Sequence, residues 1–181
     1  MGHVIEIRAL PADRLSEIAH IDRSEHIDTI FEVEAGNLSS RAVDIDVPRW
    51  DSEGADPHSV GAFMDDLAPI LERGATLLAA FDRDDVVGVA IVENSFEGHM
   101  AWLAFLHVSR AHRRRGVASA LWAEAVDRAR MAGARSIYVS ATPSGSAVGF
   151  YLARGCTVVP VPHVELHAAE PDDVHLLAII D

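Results

Sequence analysis

Lysine is missing from this 181-residue chain, so all 15 of its basic side chains other than histidine are arginines. Cysteine occurs once, at Cys156, which excludes an internal disulfide framework and a zinc site built from cysteines. Long apolar runs are absent too. Stretches such as Val86 to Val92 fall far short of the roughly 20 residues that a spanning helix needs. The opening MGHVIEIRAL has no basic segment followed by an apolar core, so no secretory signal is read there. What is present is ordinary for a globular protein, with 49% apolar and 24% charged residues, and extended disorder is excluded. The expectation is one soluble, cytoplasmic domain over residues 1–181, long enough to bury a core.

The net charge of −13 is unevenly spread. Residues 1–100 carry 7 Arg against 21 Asp and Glu, whereas residues 101–154 carry 8 Arg against only Glu124 and Asp127. The remainder of the chain holds five acids and no Arg. An acidic total repels a nucleic-acid backbone, so no nucleic-acid partner is expected. A basic segment inside an acidic protein marks either a solvated face or a local anion site.

Periodicity sets the expected elements. Val4 to Arg8 alternates as a half-buried strand does, and Asp13 is placed to cap a helix through Leu15, Ile18 and Ala19. Ile27, Ile30 and Phe31 stand at helical spacing and predict a second helix ending near Gly36. Residues 36–58, rich in Gly, Ser, Asp and Pro, read as a long variable loop with room for a short strand. Val60, Phe63, Met64, Leu67 and Leu71 predict a helix kinked by Pro69 and ended by Gly74. Thr76–Phe81, Val86–Val92 and Met100–Val108 form an expected antiparallel meander. From Gly116 the period lengthens, with Val117, Leu121, Ala125 and Ala129 four apart, and the helix should stop at Gly133. Ser136–Ser140 is a strand, Ser144 caps a helix closed by Gly155, and Thr157–Val161 and Val174–Ile180 are final strands. The fold class is α/β, with a mixed, mostly antiparallel sheet and helices on both faces.

The stretch from Val108 to Ser119 carries the chemistry. It joins a strand to a helix, where free N–H groups and the helix dipole favour an anion. Gly116 and Ala118 are small enough for a phosphate to approach the backbone, and Arg113, Arg114 and Arg115 add charge. The Gly-Lys-Ser/Thr ending of a triphosphate loop and the three-glycine spacing of a dinucleotide site are both missing.

These residues strongly resemble the GNAT N-acetyltransferase superfamily, whose acetyl-CoA site reads Arg/Gln-x-x-Gly-x-Gly/Ala. The match is Arg113-x-x-Gly116-x-Ala118, preceded at five residues by Val108. Downstream, Ser144-x-x-Ala147-x-x-Phe150-Tyr151 followed by Gly155-Cys156 is similar to the family's Asn-x-x-Ala-x-x-Phe-Tyr and Gly-Phe. Ser144 for Asn, Cys156 for Phe, and Arg110 and His112 before the motif are departures.

The resemblance implies a GNAT-like domain whose fourth and fifth core strands splay apart. It also implies acetyl transfer from acetyl-CoA to an amine within a ternary complex, without a metal. Acetyl-CoA would be held by Leu106, His107, Val108, Arg113, Arg114, Arg115, Gly116, Val117, Ala118, Ser119 and Ser144. A bulge at Leu106–Val108 would give the thioester oxygen its N–H donor. Tyr151 matches the family's general acid, its alternative being a core aromatic. The family does not fix the base. Glu93 is the first candidate, His107 the second, and Glu25 and Glu32, on early helices walling the acceptor pocket, the third.

Trp50 either lines the acceptor pocket or anchors the loop to the core. His163 and His167 flank Glu165, but Pro160 and Pro162 and the β-type residues around them argue against a metal-binding helix. A primary amine of a small molecule or peptide is the expected acceptor, and a homodimer is compatible with the fold. A longer acyl donor and a CoA-binding sensor without catalysis are the competing readings.

Overall fold

The computed structural model describes residues 5–51 and 59–181. Its centre is a seven-stranded mixed sheet, ordered β1-β4-β5-β6-β7-β9-β8. The strands are β1 (Glu6–Leu10), β4 (Thr76–Asp82), β5 (Asp85–Glu97), β6 (Met100–Val108), β7 (Ser136–Ala141), β8 (Thr157–Val158) and β9 (Val174–Ile179). Only β6 and β7 run parallel; every other neighbouring pair is antiparallel. The meander expected from the three apolar runs is present. Its first turn is Arg83-Asp84, with Arg83 at φ 61°, and its second is Gly98-His99.

Alternation along these strands divides the core in two. Leu78, Ala90, Val92, Leu103, Ile137 and Val139 face α2 (Val117–Met131) and α3 (Gly145–Leu152). Leu77, Val89, Ile91, Trp102, Phe105 and Tyr138 face the opposite side, which carries α1 (Val60–Glu72), α4 (Val164–Ala169) and a 3-10 helix, Ala12–His20. The four-residue spacing that predicted α2 is the face it buries, and Leu121, Ala125 and Ala129 have no exposed surface. Burying one such leucine contributes about 1.5–3 kcal/mol. Gly88 of β5 lets α2 sit this close, since a Cβ there would meet Val117 at 3.0 Å and Leu121 at 3.1 Å.

The early chain departs from expectation. Ile27, Ile30 and Phe31 lie not on a helix but on β2 (Glu25–Glu34). This strand pairs antiparallel with β3 (Asn37–Val47), so much of the expected 36–58 loop is a hairpin arm. The two-residue turn Ala35-Gly36, with φ 49° and 80°, closes it, so Gly36 turns a hairpin rather than ending a helix. Residues 52–58, and Val4 of the first strand, lie outside the described residues.

Asp13 caps nothing by its side chain: Pro11 stands at the start of the 3-10 helix, whose buried Leu15 and Ile18 recur at the 3-10 period of three while Ala19 is exposed. β8 stops at Val158, before Pro160 and Pro162. The segment around Glu165 is helical after all, with His163 as its N-cap. Ser59 and Ser144 cap α1 and α3, accepting the N–H of Ala62 and Ala147 at 3.2 Å each.

Candidate active site

Four rungs join β6 to β7, from Met100 with Ser136 to Leu103 with Val139. Beyond them β6 runs on to Val108 and β7 to Ala141 without pairing, so a wedge opens between the two strands. An irregularity marks its apex. Ile91 faces Phe105 and Val92 faces Leu103, leaving Ala104 as the extra residue of a bulge. The bulge expected at Leu106–Val108 therefore lies earlier, at the point where pairing with β7 ends.

At the end of β6 the chain makes a short 3-10 turn, Arg110–His112, and enters α2 through Gly116. Gly116 adopts φ 86°, and a Cβ there would meet no protein atom within 4 Å. Its smallness therefore serves backbone conformation and an open approach, not internal packing. Among the described residues no backbone acceptor meets the amides of residues 114–119. Arg114 and Arg115 are exposed beside them and form no ion pair with any described residue. Unpaired amides, a helix start and two exposed guanidinium groups are together suited to an anion.

Arg113 is different. Its guanidinium donates to the carbonyls of Val108 at 3.0 Å, Ser24 at 3.2 Å and Arg23 at 3.0 Å. Nearby, Asp22 N–H donates to the Ser109 hydroxyl at 3.1 Å, and Arg110 N–H donates to the Asp22 carbonyl at 2.9 Å. These bonds moor the start of β2 to the end of β6. Further along β2, Phe31 N–H donates to the Pro143 carbonyl at 2.7 Å, and Ile30 bridges to Ser144. β2 thus touches both arms of the wedge and spans its open end. Ser144 is 3% exposed, its hydroxyl committed to capping α3 and to Ser146.

One residue that sequence reasoning overlooked joins this side. Arg154 donates to the Ser119 hydroxyl at 2.6 Å and lies over the Phe150 ring at 3.4 Å. Its position four residues after Phe150, just past the end of a short helix, was the available signal.

Tyr151 is buried against Trp122, ring centres 5.6 Å apart, and its hydroxyl makes no hydrogen bond among the described residues. Burial, with the neighbouring Cys156, holds its pKa well above the ordinary phenol value. Burial also pushes the Cys156 thiol up to about 11. On the opposite face His107 stacks on Phe105 at 4.7 Å and lies 5.9 Å from Trp50. Burial, then the guanidinium groups of Arg113 and Arg23, lower its pKa to about 4. Trp50 also packs on Phe63 at 4.8 Å and under Arg23 at 4.2 Å, so it anchors its segment beside the wedge.

Glu93 is not brought to the wedge. It stands opposite Trp102 in the zipped part of the sheet, and Arg73 holds its carboxylate at 3.1 Å. Glu25 and Glu32 sit on a strand rather than a helix; Glu25 lies 3.9 Å from Arg113, and Arg41 pairs with Glu32 at 2.7 Å. Between the hairpin tip and the start of β9 lies a cavity of about 470 Å³, lined by Phe31, Val158, Pro162, His167, Asp173 and His175 among others. Among the described residues no group of three or more metal-ligating side chains is gathered, and no helix is long and apolar enough to cross a membrane.

The family model for the acetyltransferase (GNAT) family matches residues 31–156, which contain the wedge, the amide cluster and Tyr151. The chain belongs to that family. It is accordingly an acetyltransferase. No functionally curated protein matches the chain in sequence.

Solved structures agree on the fold. A nourseothricin acetyltransferase is 20% identical with a TM-score of 0.72, over 98% of this chain and 99% of that one. PaiA N-acetyltransferase from Thermoplasma acidophilum, in complex with coenzyme A, is 15% identical with a TM-score of 0.62, over 97% and 99%. The ribosomal-protein-S18-alanine N-acetyltransferase from Escherichia coli is 14% identical with a TM-score of 0.62, over 98% and 95%.

Proposed function

We propose that this acetyltransferase moves acetyl from acetyl-CoA to a primary amine of a small cationic molecule, by direct attack in a ternary complex. The observation that carries the reading is the continuity of two features. The amide cluster of residues 114–119 lies where α2 starts, and the wedge between β6 and β7 opens beside it. The diphosphate would be held by those amides with Arg114 and Arg115, and the thioester would point into the wedge. Arg113 supports the site indirectly, by fixing the end of β6 against β2.

In the reaction the amine nitrogen forms a bond to the thioester carbon, the C–S bond breaks and the sulfur leaves as thiolate. The thioester oxygen gains negative charge on the way, and an N–H past the Ala104 bulge, on the edge of β6 without a β7 partner, would receive it. Tyr151 keeps its proton at neutral pH and can give it to the sulfur. The acidic first hundred residues favour a cationic acceptor by long-range attraction.

Thiol release from acetyl-CoA should be measured against nourseothricin, spermidine, lysine and a peptide with an N-terminal alanine. Release that depends on one of these amines supports the reading. Tight coenzyme A binding with no release on any of them would replace it with a sensor.

A further inference from the structure

Three side chains on the face of the 3-10 helix form a hydrogen-bonded path that begins at the wedge. Ser140 is the first residue of β7 beyond the last β6–β7 pair. By strand alternation its side chain shares a face with Tyr138, which packs toward α1 and α4. His175 stands directly opposite Ser140 in the β7–β9 ladder and is only 4% exposed. Its Nδ1 lies 2.9 Å from the Tyr138 hydroxyl and 3.4 Å from the Ser140 hydroxyl. Its Nε2 lies 3.4 Å from Nδ1 of His167, which is exposed and lines the 470 Å³ cavity.

The surrounding bonds suit one direction along this path. The Tyr138 oxygen accepts the His163 N–H at 3.1 Å, which leaves the phenol hydrogen for His175 Nδ1. His175 therefore carries its own hydrogen on Nε2, aimed at His167. A neutral imidazole so arranged presents its accepting nitrogen toward the wedge and its donating nitrogen toward the cavity.

We infer that Ser140, His175 and His167 are the proton exit of the reaction, carrying the acceptor ammonium's proton from the wedge to the cavity. The inference rests on the amine acetylation proposed above. An ammonium N–H bond breaks as its proton passes to the Ser140 oxygen. The Tyr138 hydrogen turns off His175 Nδ1 as the Ser140 hydroxyl proton passes to that nitrogen, and the His175 Nε2 proton passes to His167 Nδ1. One neutral amine and one imidazolium at His167 result, and water takes the proton from there. No electrons change hands.

The groups facing His175 are consistent with this work. Tyr138 and Ser140 face it from β7, His167 from α4, and the Glu170 carbonyl from the α4–β9 connection, while Asp172, Asp173 and Glu32 line the cavity beyond. Burial and His167 lower the His175 pKa against the opposite pull of the Glu170 carbonyl, so His175 is neutral at pH 7. Asp173 is pushed up to about 7, by burial first and then by Glu170, and is only partly charged there. His107, by contrast, makes no hydrogen bond among the described residues that could pass a proton onward.

The test is the pH dependence of kcat/KM for the wild type, His175→Asn and His167→Asn, with acetyl-CoA and the amine of the panel that releases thiol fastest. With the relay, rate rises through the His175 pKa and then stays level. Without it, rate follows the free-amine fraction and climbs toward the amine's own pKa. His175→Asn should lose about 100-fold near pH 7 and recover most of it near pH 9. His167→Asn should lose about tenfold with the same convergence, and acetyl-CoA affinity should stay within about twofold in both.

An equal loss at both pH values, or rates near wild type at both, would overturn the relay. If His175→Asn does not fold, His167→Asn, altered at the exposed end, decides by the same criterion. Wild-type release near pH 9 separates the two levels of the account. No release on any amine sinks the acetylation reading and the relay with it, whereas normal release with unaffected variants sinks the relay alone.

Discussion

The segment from Val108 to Ser119 and the segment from Asp22 to Val47 meet at Arg113, yet they are built in opposite ways. The first is a contiguous stretch in which strand end, turn and helix start follow one another, so its unpaired amides and free arginines come from local order. The second makes sense only through partners far along the chain. Its beginning is moored to Ser109, Arg110 and Arg113, and its middle to Pro143 and Ser144. Anion binding can be written into a dozen residues because a helix start supplies the donors. The surroundings of the wedge are assembled from distant pieces, among them Trp50, His107 and Ser140.

Three variants sharpen that contrast. Gly116→Asp should have the largest effect. It forces a residue with a Cβ into φ 86° and sets a carboxylate beside the amide cluster, at a position where the Cβ itself would meet no protein atom within 4 Å. Coenzyme A affinity should fall by at least about 100-fold, or roughly 2.7 kcal/mol, in isothermal titration, with the circular dichroism spectrum retained. Unchanged affinity would break the local half of the comparison.

Tyr151→Phe comes next. Turnover should drop about 10- to 100-fold in a thiol-release assay while acetyl-CoA affinity stays within about twofold. Full activity in this variant would leave Tyr151 as the core aromatic that its packing on Trp122 also allows.

The smallest effect is expected from replacing Arg114 and Arg115 together by alanine. Both are exposed and screened, so affinity should weaken only about three- to tenfold, and the difference should shrink as salt is raised. A loss as large as that of Gly116→Asp would mean that the guanidinium groups, rather than the amides, do the holding.

Legibility in the sequence followed the same divide. The three meander strands, α2 with its four-residue spacing, and the cap Ser144 are local signals, and the described residues carry them where expected or nearly so. β2 misled because Ile27, Ile30 and Phe31 also satisfy a helical period, and the strand that pairs with them lay in a stretch whose Gly, Ser and Asp suggested a loop. The alternation of half-buried Ile27, Thr29 and Phe31 with exposed His26 and Asp28 was present but weak. Ser140 and His175 are 35 residues apart and become neighbours only through the β7–β9 register, which no local pattern encodes. Arg113 belonged to the motif, but its bonds to Val108, Arg23 and Ser24 make it a clamp, a role that depends on where β2 runs.

A crystal structure of the protein grown with coenzyme A would test the central claim most directly. The diphosphate should lie against the backbone amides of residues 114–119, and the pantetheine arm should run between β6 and β7 past Ala104. A diphosphate bound elsewhere, or β6 and β7 paired along their whole length with the arm outside them, would contradict the account.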